Sequence, residues 1–466
     1  MQKMAYEKLK KPTTTTNESL VLDMDQMVMS ETLSLSEDTA QWRQSIYRVP
    51  KWVKEMSSNR SKAYQPQVVS LGPLHHREAE LQPVEAHKLR AVQNLAARSS
   101  KTKEQFAAAV SRVAPFLESA YGPDLDEKWR GERNRGKFVE MMVRDGCFFL
   151  EVMRLNEAMD GDRKSVGTDF DPNDPVFSKH GFIYLFRPIQ TDMLLMENQL
   201  PLLLLKTLAS VANQLGDGCH ATEMNKKVLH CLWRPTPPTS TNTPDGINSC
   251  LGLHPLDLYH KSYCGVSQKQ ILGPTQMRKP VMPSAMEMYE AGIQFKATDL
   301  NAPCHPERGI RFHGGVLSIP AYTMDSFSEK LLLNLMAFER LHAGAGESVT
   351  AYVVFMDNII DTAQDVALLR AKGVLASELG SDEETADLIN NRLSKGAAMS
   401  LSGMLTQVHE DVGAHCRKRR NIWRASLIHT YFRNPWVFTS LVAAFILLVA
   451  TLLQTIYTIV SFHRQD

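Results

Sequence analysis

The chain has 466 residues, of which 43% are hydrophobic, and its 52 basic and 51 acidic side chains leave a formal charge of +1. This length is enough for one large or two modest domains with a real hydrophobic core. The balanced charge provides no global field to steer a polyanion. Basic residues interleaved with aromatics are absent outside one cluster near the C-terminus, so we expect no nucleic-acid partner.

Residues 1–38 are predicted to form a disordered N-terminal tail. They contain a TTTT tract, scattered methionines and acidic residues, and no persistent hydrophobic period. They also lack the apolar stretch that a secretory signal needs, so we expect no translocation through this end. Two glycosylation sequons, at Asn17 and Asn59, would matter only if that expectation is wrong.

Residues 39–433 are predicted to form a large, mainly α domain. Apolar residues recur at spacings of three and four over 84–98, 102–120 and 137–158, which predicts three helices. Further along, Ser or Thr is followed three positions later by Asp or Glu, the pattern of a helix capping box. These boxes are Ser284/Glu287, Ser326/Glu329, Thr362/Asp365 and Ser381/Glu384, with helix stops near Gly292, Gly373 and Gly396.

Two segments interrupt the helical pattern. The sequence IRFHGGVLSIP at 310–320 places Gly314-Gly315 between two short β-rich runs and predicts a hairpin, with Pro320 preventing continuation as a central strand. The run RPTPPTSTNTPDG at 234–246 contains four prolines, which remove backbone donors and predict an exposed loop. The predicted fold class is therefore mainly α, with one small β-hairpin.

The seven cysteines indicate neither a disulfide framework nor a zinc module. Their number is odd and no CxxC pair occurs, so we predict reduced, mostly buried thiols and no cofactor. Cys147 follows Asp145-Gly146 and leads into two phenylalanines. Because no base can be assigned to it, we interpret it as a packed side chain rather than a nucleophile.

The best candidate for chemistry is the motif PLHH at 73–76, followed by Glu85 and His87 about ten residues later. His75 and His76 could hold a metal from a loop, together with a ligand from the following helix and Glu85 as a base. The alternative, which we favour, is that the imidazoles hydrogen-bond backbone groups at a rigid turn. Spacings typical of nucleotide-binding loops, zinc proteases and serine hydrolases are absent, so we predict a non-enzyme without catalytic, cofactor-binding or metal residues.

A second polar motif, Glu197-Asn198-Gln199, lies between the apolar runs DMLLM and PLLLLKTL. We expect Asn198 and Gln199 to satisfy free backbone groups at a junction between buried segments, with direct ligand contact as the alternative. Asp357-Asn358, which precedes two isoleucines, allows the same two interpretations.

Residues 434–462 contain no Asp, Glu, Lys, Arg or His over 29 positions. A helix needs about 20 apolar residues to cross a bilayer core, so we predict a single C-terminal transmembrane helix and a short tail at 463–466, with a buried core helix as the alternative. Basic residues concentrated on its N-terminal side predict a cytosolic N-terminal domain and a tail-anchored topology, and could also contact anionic headgroups. They are Arg417, Lys418, Arg419, Arg420, Arg424 and Arg433.

Twelve short motifs are distributed over roughly residues 46–462. They are YRVPKWV (47–53), AYQPQVVSLGPLHH (63–76), EAHKLR (85–90), VRDGCFFLEVMR (143–154), DMLLMENQLPLLLLKTL (192–208), HPLDLYH (254–260), PSAMEMYEAGIQF (283–295), GGVLSIP (314–320), NLMAFER (334–340), YVVFMDNIIDTAQDVALLRAKGVL (352–375), SDEETADLIN (381–390) and the terminal NPW with its apolar run. In this order they resemble the plant family called domain of unknown function 247. The chain departs from the family at Leu74, where an aromatic residue is common.

The resemblance implies a membrane-associated plant protein with a large helical region and no established catalytic residues. Members of the family have been linked to recognition and signalling, including pollen–stigma self-incompatibility, immune signalling and reproductive development. We therefore expect a non-enzymatic, membrane-anchored interaction or signalling protein, at the plasma membrane, with the lipid bilayer and unidentified proteins as partners. The segments 213–250 and 160–180 are candidate interfaces, since loops on a rigid scaffold often carry binding specificity.

Two alternatives remain open. One is a cell-surface recognition determinant in self-incompatibility, which would require a translocated body. The other is a metal-dependent enzyme built on His75, His76 and His87.

Overall fold

The computed structural model describes residues 44–55, 60–160, 170–214, 220–232, 250–264, 282–298, 309–395, 403–427 and 435–463. The predicted N-terminal tail, the Pro/Thr-rich loop, both sequons and the predicted stop at Gly396 lie outside the described residues.

Helices make up most of the described chain, as predicted. The first half contains α1 (Lys51–Glu55), α2 (Gln82–Ser99), α3 (Lys103–Tyr121), α4 (Glu132–Asp160), α5 (Lys179–Met193), α6 (Leu202–Val211) and α7 (His220–Leu232). The three helices predicted from hydrophobic periodicity are confirmed as α2, α3 and α4. The long helix α4 lies at the centre of this half, in contact with α2, α3, α6 and α7.

The second half is also mainly helical. It contains α8 (Pro255–Cys264), α9 (Ala285–Glu290), α10 (Ser328–Leu341), α11 (Ser348–Ile359), α12 (Ala363–Ala371), α13 (Asp382–Asp387), α14 (Gly403–Cys416), α15 (Arg419–Leu427) and α16 (Pro435–His463). The helix predicted at 434–462 is thus present as α16.

Two of the predicted capping boxes form completely. Ser284 with Glu287 begins α9, and Thr362 with Asp365 begins α12, each with reciprocal side-chain and backbone hydrogen bonds. At Ser381 only the serine half is present, where its hydroxyl accepts the amide of the third residue of α13 at 3.1 Å. Local spacing therefore located these three helix starts correctly.

The capping box predicted at Ser326/Glu329 is wrong. Helix α10 begins two residues later, at Ser328, and its start is stabilised by Asp325 instead. The Asp325 carboxylate accepts the amides of Phe327 at 3.1 Å and Ser328 at 2.8 Å. An aspartate is as good an acceptor at a helix start as a serine, so the spacing alone did not distinguish the two.

The β structure consists of a three-stranded and a two-stranded sheet. The predicted hairpin is confirmed, since β2 (Arg311–His313) and β3 (Val316–Pro320) are antiparallel. Gly314 and Gly315 connect them with φ of +60° and +84°, the backbone conformation that a tight two-residue turn requires.

The sequence did not predict the remaining strands. β1 (Gln294–Thr298) pairs in parallel with β3, and β3 is therefore the central strand. The prediction that Pro320 prevents a central strand is wrong, because Pro320 is the last residue of β3, where a missing amide donor is tolerated. β4 (Tyr322–Met324) pairs in parallel with β5 (Leu375–Ser377). Strands this short carry little periodic signal, and parallel partners are not joined by a turn that the sequence could show.

Candidate functional site

The structure gives His75 two carboxylate neighbours. Its Nδ1 atom lies 2.7 Å from Glu78 Oε1, and its Nε2 atom lies 3.3 Å from Glu197 Oε2. Burial lowers the pKa of His75, but hydrogen bonds and the charges of Glu197 and Glu78 outweigh it, so the pKa lies above its ordinary value. Lys54 Nζ also lies 2.7 Å from the Glu197 carboxylate. His75 is thus part of an ionic cluster in which His75 and Glu197 are buried while Glu78 and Lys54 are partly exposed.

The other two candidate histidines lie in different surroundings. The His76 ring packs edge-on against Trp129, and burial lowers the pKa of His76 to about 4. His87 Nδ1 lies 3.4 Å from Asp174 Oδ1. The structure therefore does not bring His75, His76 and His87 together around one ion.

Glu85, which the metal-dependent hypothesis assigns as a base, instead forms an ion pair with a lysine. Its carboxylate lies 2.5 Å from Lys88 Nζ, one turn further along α2. Lys88 is completely buried and also donates to the Ser70 carbonyl at 2.5 Å and to Asp145 Oδ1 at 2.8 Å. We call Lys88, Asp145, Glu85 and Ser70 the polar centre.

Asp145 connects the polar centre to the loop before α2. Its second oxygen accepts the amide of Gly72 at 2.8 Å, while the first pairs with Lys88. Burial raises the pKa of Asp145 to about 6, although Lys88 and the hydrogen bonds oppose this shift. A buried carboxylate and a buried ammonium group therefore hold helix α2, helix α4 and residues 70–72 together.

The motif Glu197-Asn198-Gln199 also binds the segment before α2. Asn198 is fully buried, accepts the amide of Leu71 at 2.6 Å, and donates to the carbonyls of Val69 at 3.0 Å and Asp192 at 2.9 Å. The Asp192 carboxylate accepts the amides of residues 67, 68 and 69. The expectation that this asparagine satisfies backbone groups is confirmed.

Gln199 also satisfies free backbone groups, in this case near the start of α8. Its amide donates to the carbonyls of Met193 at 2.7 Å and Leu195 at 2.8 Å, and its oxygen accepts the amide of Leu256 at 2.9 Å. Asp357 and its neighbour Asn358 are half-buried in the last turns of α11.

A second polar cluster was not predicted from sequence. Ligand atoms of His260, Cys264 and Glu339 lie within 4.8 Å of one another, and among the described residues this is the one such group of three. The Glu339 oxygens, however, already contact His260 Nε2 at 2.9 Å and accept the amides of Val349 at 2.8 Å and Thr350 at 2.9 Å. Glu339 therefore stabilises the start of α11, and the occupied oxygens fit a structural role better than a metal ligand.

The described cysteines are free thiols with unequal exposure. Cys147, Cys231 and Cys264 are buried as predicted, whereas Cys250 is exposed. Burial raises the pKa of Cys147 to about 12, so its thiolate is scarcely populated near neutral pH. This supports the interpretation of Cys147 as a packed side chain.

The two candidate interface segments do not consist entirely of loops. Part of 213–250 is helix α7, which packs against α4 and α8. In the described part of 160–180, Phe170 stacks on Phe177 with ring centres 4.5 Å apart, and both are buried. Sequence reasoning did not predict α7, which ends directly before the Pro/Thr-rich run.

Among the long helices that the structure describes, α16 differs in that it is not covered by the body. Its segment Thr439–Val460 is long and apolar enough to cross a membrane, and none of it is buried against the body. The hydroxyls of Thr451, Thr455 and Thr458 each donate to the carbonyl four residues earlier at 2.8 Å. These bonds satisfy the hydroxyl donors within the helix, as an apolar environment requires.

These features define a mainly α protein with a buried polar framework and a C-terminal helix capable of spanning a membrane. The chain belongs to the DUF247 family, described as "Plant protein of unknown function", whose family model matches residues 46–450. The resemblance drawn from the twelve motifs is confirmed.

Two Arabidopsis thaliana proteins are similar to this chain. UPF0481 protein At3g47200 is 27% identical over 438 residues, which cover 90% of this chain and 86% of the relative. Putative UPF0481 protein At3g02645 is 30% identical over 192 residues, which cover 41% of this chain and 35% of the relative. No solved structure matches the chain.

Proposed function

We propose that this protein is anchored in the plasma membrane by α16 and that its helical body is a non-enzymatic interaction or signalling module on the cytosolic side. The observation that carries the proposal is the uncovered apolar surface of Thr439–Val460. In water, an apolar helix of 22 residues without a covering partner is costly, whereas a bilayer core matches both its length and its polarity.

The proposed orientation is supported by the charges next to α16. Arg417 to Arg420, Arg424 and Arg433 precede α16, whereas at its other end His463 is the last helical residue and Arg464 follows it. Lys and Arg are retained on the cytosolic side of membranes, which favours a cytosolic body.

The non-enzymatic part is supported by the use that the structure makes of its buried polar groups. Asp192 and Asn198 bind backbone amides of 67–71, Lys88 pairs with Asp145, and Glu339 stabilises a helix start. These side chains hold segments of the body together, which is the task of a scaffold rather than of a reactive centre.

Membrane insertion is tested with the full chain in sealed membranes. Replacing both Leu447 and Leu448 with Lys places two charges in the apolar segment, and each charge raises the free energy of membrane insertion by about 3 kcal/mol. Alkaline carbonate washing should then release the protein. The matched change of both residues to Ala should leave it in the membrane. If the native chain is released by the wash, the anchor is refuted.

Orientation is tested by protease protection of a tag at residue 1. Digestion of the tag from the cytosolic side supports a cytosolic module. Protection, or glycan on Asn17 or Asn59, would instead place the body on the opposite side and favour cell-surface recognition.

The interaction role is tested by a loop exchange. Replacing 233–249 with the same stretch of a relative preserves helix α7 and changes the segment whose composition is rich in Pro and Thr. We expect a different set of partners in pull-downs from membranes. Identical partners would show that specificity lies elsewhere in the body.

A further inference from the structure

Helix α15 presents large apolar and basic side chains to solvent. Trp423 is 77% exposed and Ile422 is 51% exposed, while Arg419 and Arg420 are exposed on the same short helix. Tryptophan beside arginine is the composition of helices that lie in a membrane–water interface, where the ring lies among headgroups and the cations meet anionic groups.

The opposite side of α15 is attached to the body. The Arg424 guanidinium packs on Gly292, so closely that a Cβ at this glycine would overlap it. Asn421 Nδ2 donates to the carbonyl of His415 in α14 at 2.8 Å. Helix α15 is therefore held against α9 and α14, and its exposed side chains have a fixed direction relative to the body.

The chain length keeps α15 close to the membrane that α16 would span. Eight peptide steps connect Leu427, the last residue of α15, to Pro435, the first residue of α16. At no more than about 3.6 Å per residue, they can separate the two helix ends by about 29 Å at most. This is about the thickness of a bilayer core, so the headgroup region is within reach of α15.

The stretch of sequence that contains α15 carries charge of a single sign, although the neighbouring helix α9 contains Glu287 and Glu290. Between Asp411 and Asp466 the sequence contains no Asp or Glu, and it contains six Lys or Arg residues between 417 and 433. No acidic neighbour in the sequence offsets this charge. An anionic leaflet is the complementary partner for such a cluster.

We infer that α15 docks on the anionic leaflet of the membrane that α16 spans, with Trp423 and Ile422 among the headgroups and Arg419 and Arg420 paired with lipid phosphates or carboxylates. This inference rests on the proposed anchoring by α16. It gives the body two attachments to the bilayer, so that the body is held in one orientation rather than suspended on a single helix.

The test uses the full chain reconstituted in vesicles of phosphatidylcholine with or without phosphatidylserine, a fraction of the lipids being brominated to quench nearby tryptophans. We expect Trp423→Phe to remove a quenched component of the fluorescence in the anionic vesicles. The matched control is Trp52→Phe, which removes an exposed tryptophan on α1 that should be unquenched. Replacing Arg419 and Arg420 together with Gln should reduce the Trp423 quenching at least two-fold.

The outcomes separate the two proposals. If carbonate releases the native chain from the same vesicles, anchoring by α16 fails. If the chain remains but the Trp423 fluorescence is unquenched and open to aqueous acrylamide, anchoring stands and docking of α15 is overturned. Equal quenching in vesicles without phosphatidylserine would overturn the preference for anionic lipid.

Discussion

Lys88 Nζ lies 2.8 Å from Asp145 Oδ1, with both side chains almost completely shielded from solvent. This pair connects α2 to α4 across 57 residues of sequence. Removing two charges from water has a large free-energy cost, which the attraction within the pair offsets. Loss of one partner therefore destabilises the fold by more than the intact pair stabilises it.

We expect Asp145→Asn to destabilise the protein by about 1.5–3 kcal/mol, because it removes the buried one of the two carboxylates that pair with the Lys88 ammonium group and leaves only Glu85. Denaturant unfolding of the full chain in detergent micelles measures the effect. Glu140→Gln, on the same helix, is the matched control. Its ion pairs with Arg144 and Lys103 are partly exposed, so a change of less than about 1 kcal/mol is expected. Equal effects of the two changes would contradict the assigned role of the buried pair.

Asn198→Ala should cost about 2–4 kcal/mol, because it leaves the Leu71 amide and the Val69 carbonyl without a partner in the core. The same unfolding measurement applies. Asn391→Ala removes one exposed contact with Asp387 and should change stability by less than about 0.5 kcal/mol. If Asn198→Ala changes the free energy of unfolding no more than Asn391→Ala does, the alternative that Asn198 contacts a ligand would be favoured.

The pKa of His75 predicts a pH dependence of stability. Because this pKa is raised in the folded state above its ordinary value of 6.5, the protonated ring contributes stability that is fully present below about pH 6.5 and is lost as pH rises through the folded pKa. His75→Asn should therefore make the free energy of unfolding fall less between about pH 5.5 and about pH 8 than in the native protein. The exposed His313→Asn on β2 is the control. If the free energy of unfolding falls more steeply with pH in the His75 variant than in the native protein, folding lowers the pKa of His75 rather than raising it.

Thiol labelling should distinguish the buried from the exposed cysteines. At neutral pH, Cys250 should react with a maleimide at least about 100-fold faster than Cys147, whose pKa is raised to about 12 and whose sulfur is shielded. Peptide mapping by mass spectrometry after timed labelling measures both rates. Denaturant should make the rates similar. Rapid labelling of native Cys147 would indicate a reactive thiol.

Much of the fold could be predicted because its determinants are local. Hydrophobic periodicity located α2, α3 and α4, and two complete capping boxes located the starts of α9 and α12. The Gly-Gly turn located the hairpin. Each of these signals acts within a few residues, so the sequence displays it directly.

The candidate site could be predicted only in part. The backbone-satisfying role of Asn198 followed from its place between apolar runs. The polar centre did not, since nothing near Lys88 in the sequence indicates that Asp145 will be its partner. Their proximity in the sequence suggests that His75, His76 and His87 form one group, yet in the structure each one has a different partner.

By itself, the sequence determined that this protein is mainly helical and that its C-terminal segment is long and apolar enough to cross a membrane, because periodicity, capping and apolar runs are properties of adjacent residues. Only the tertiary structure decided which polar groups meet. Asn334 donates to the carbonyl of Ala63 across 271 residues, and Lys88 meets Asp145 across 57. Such pairs are selected by the packing of the whole core, since a buried polar group must find its partner wherever the fold brings one near.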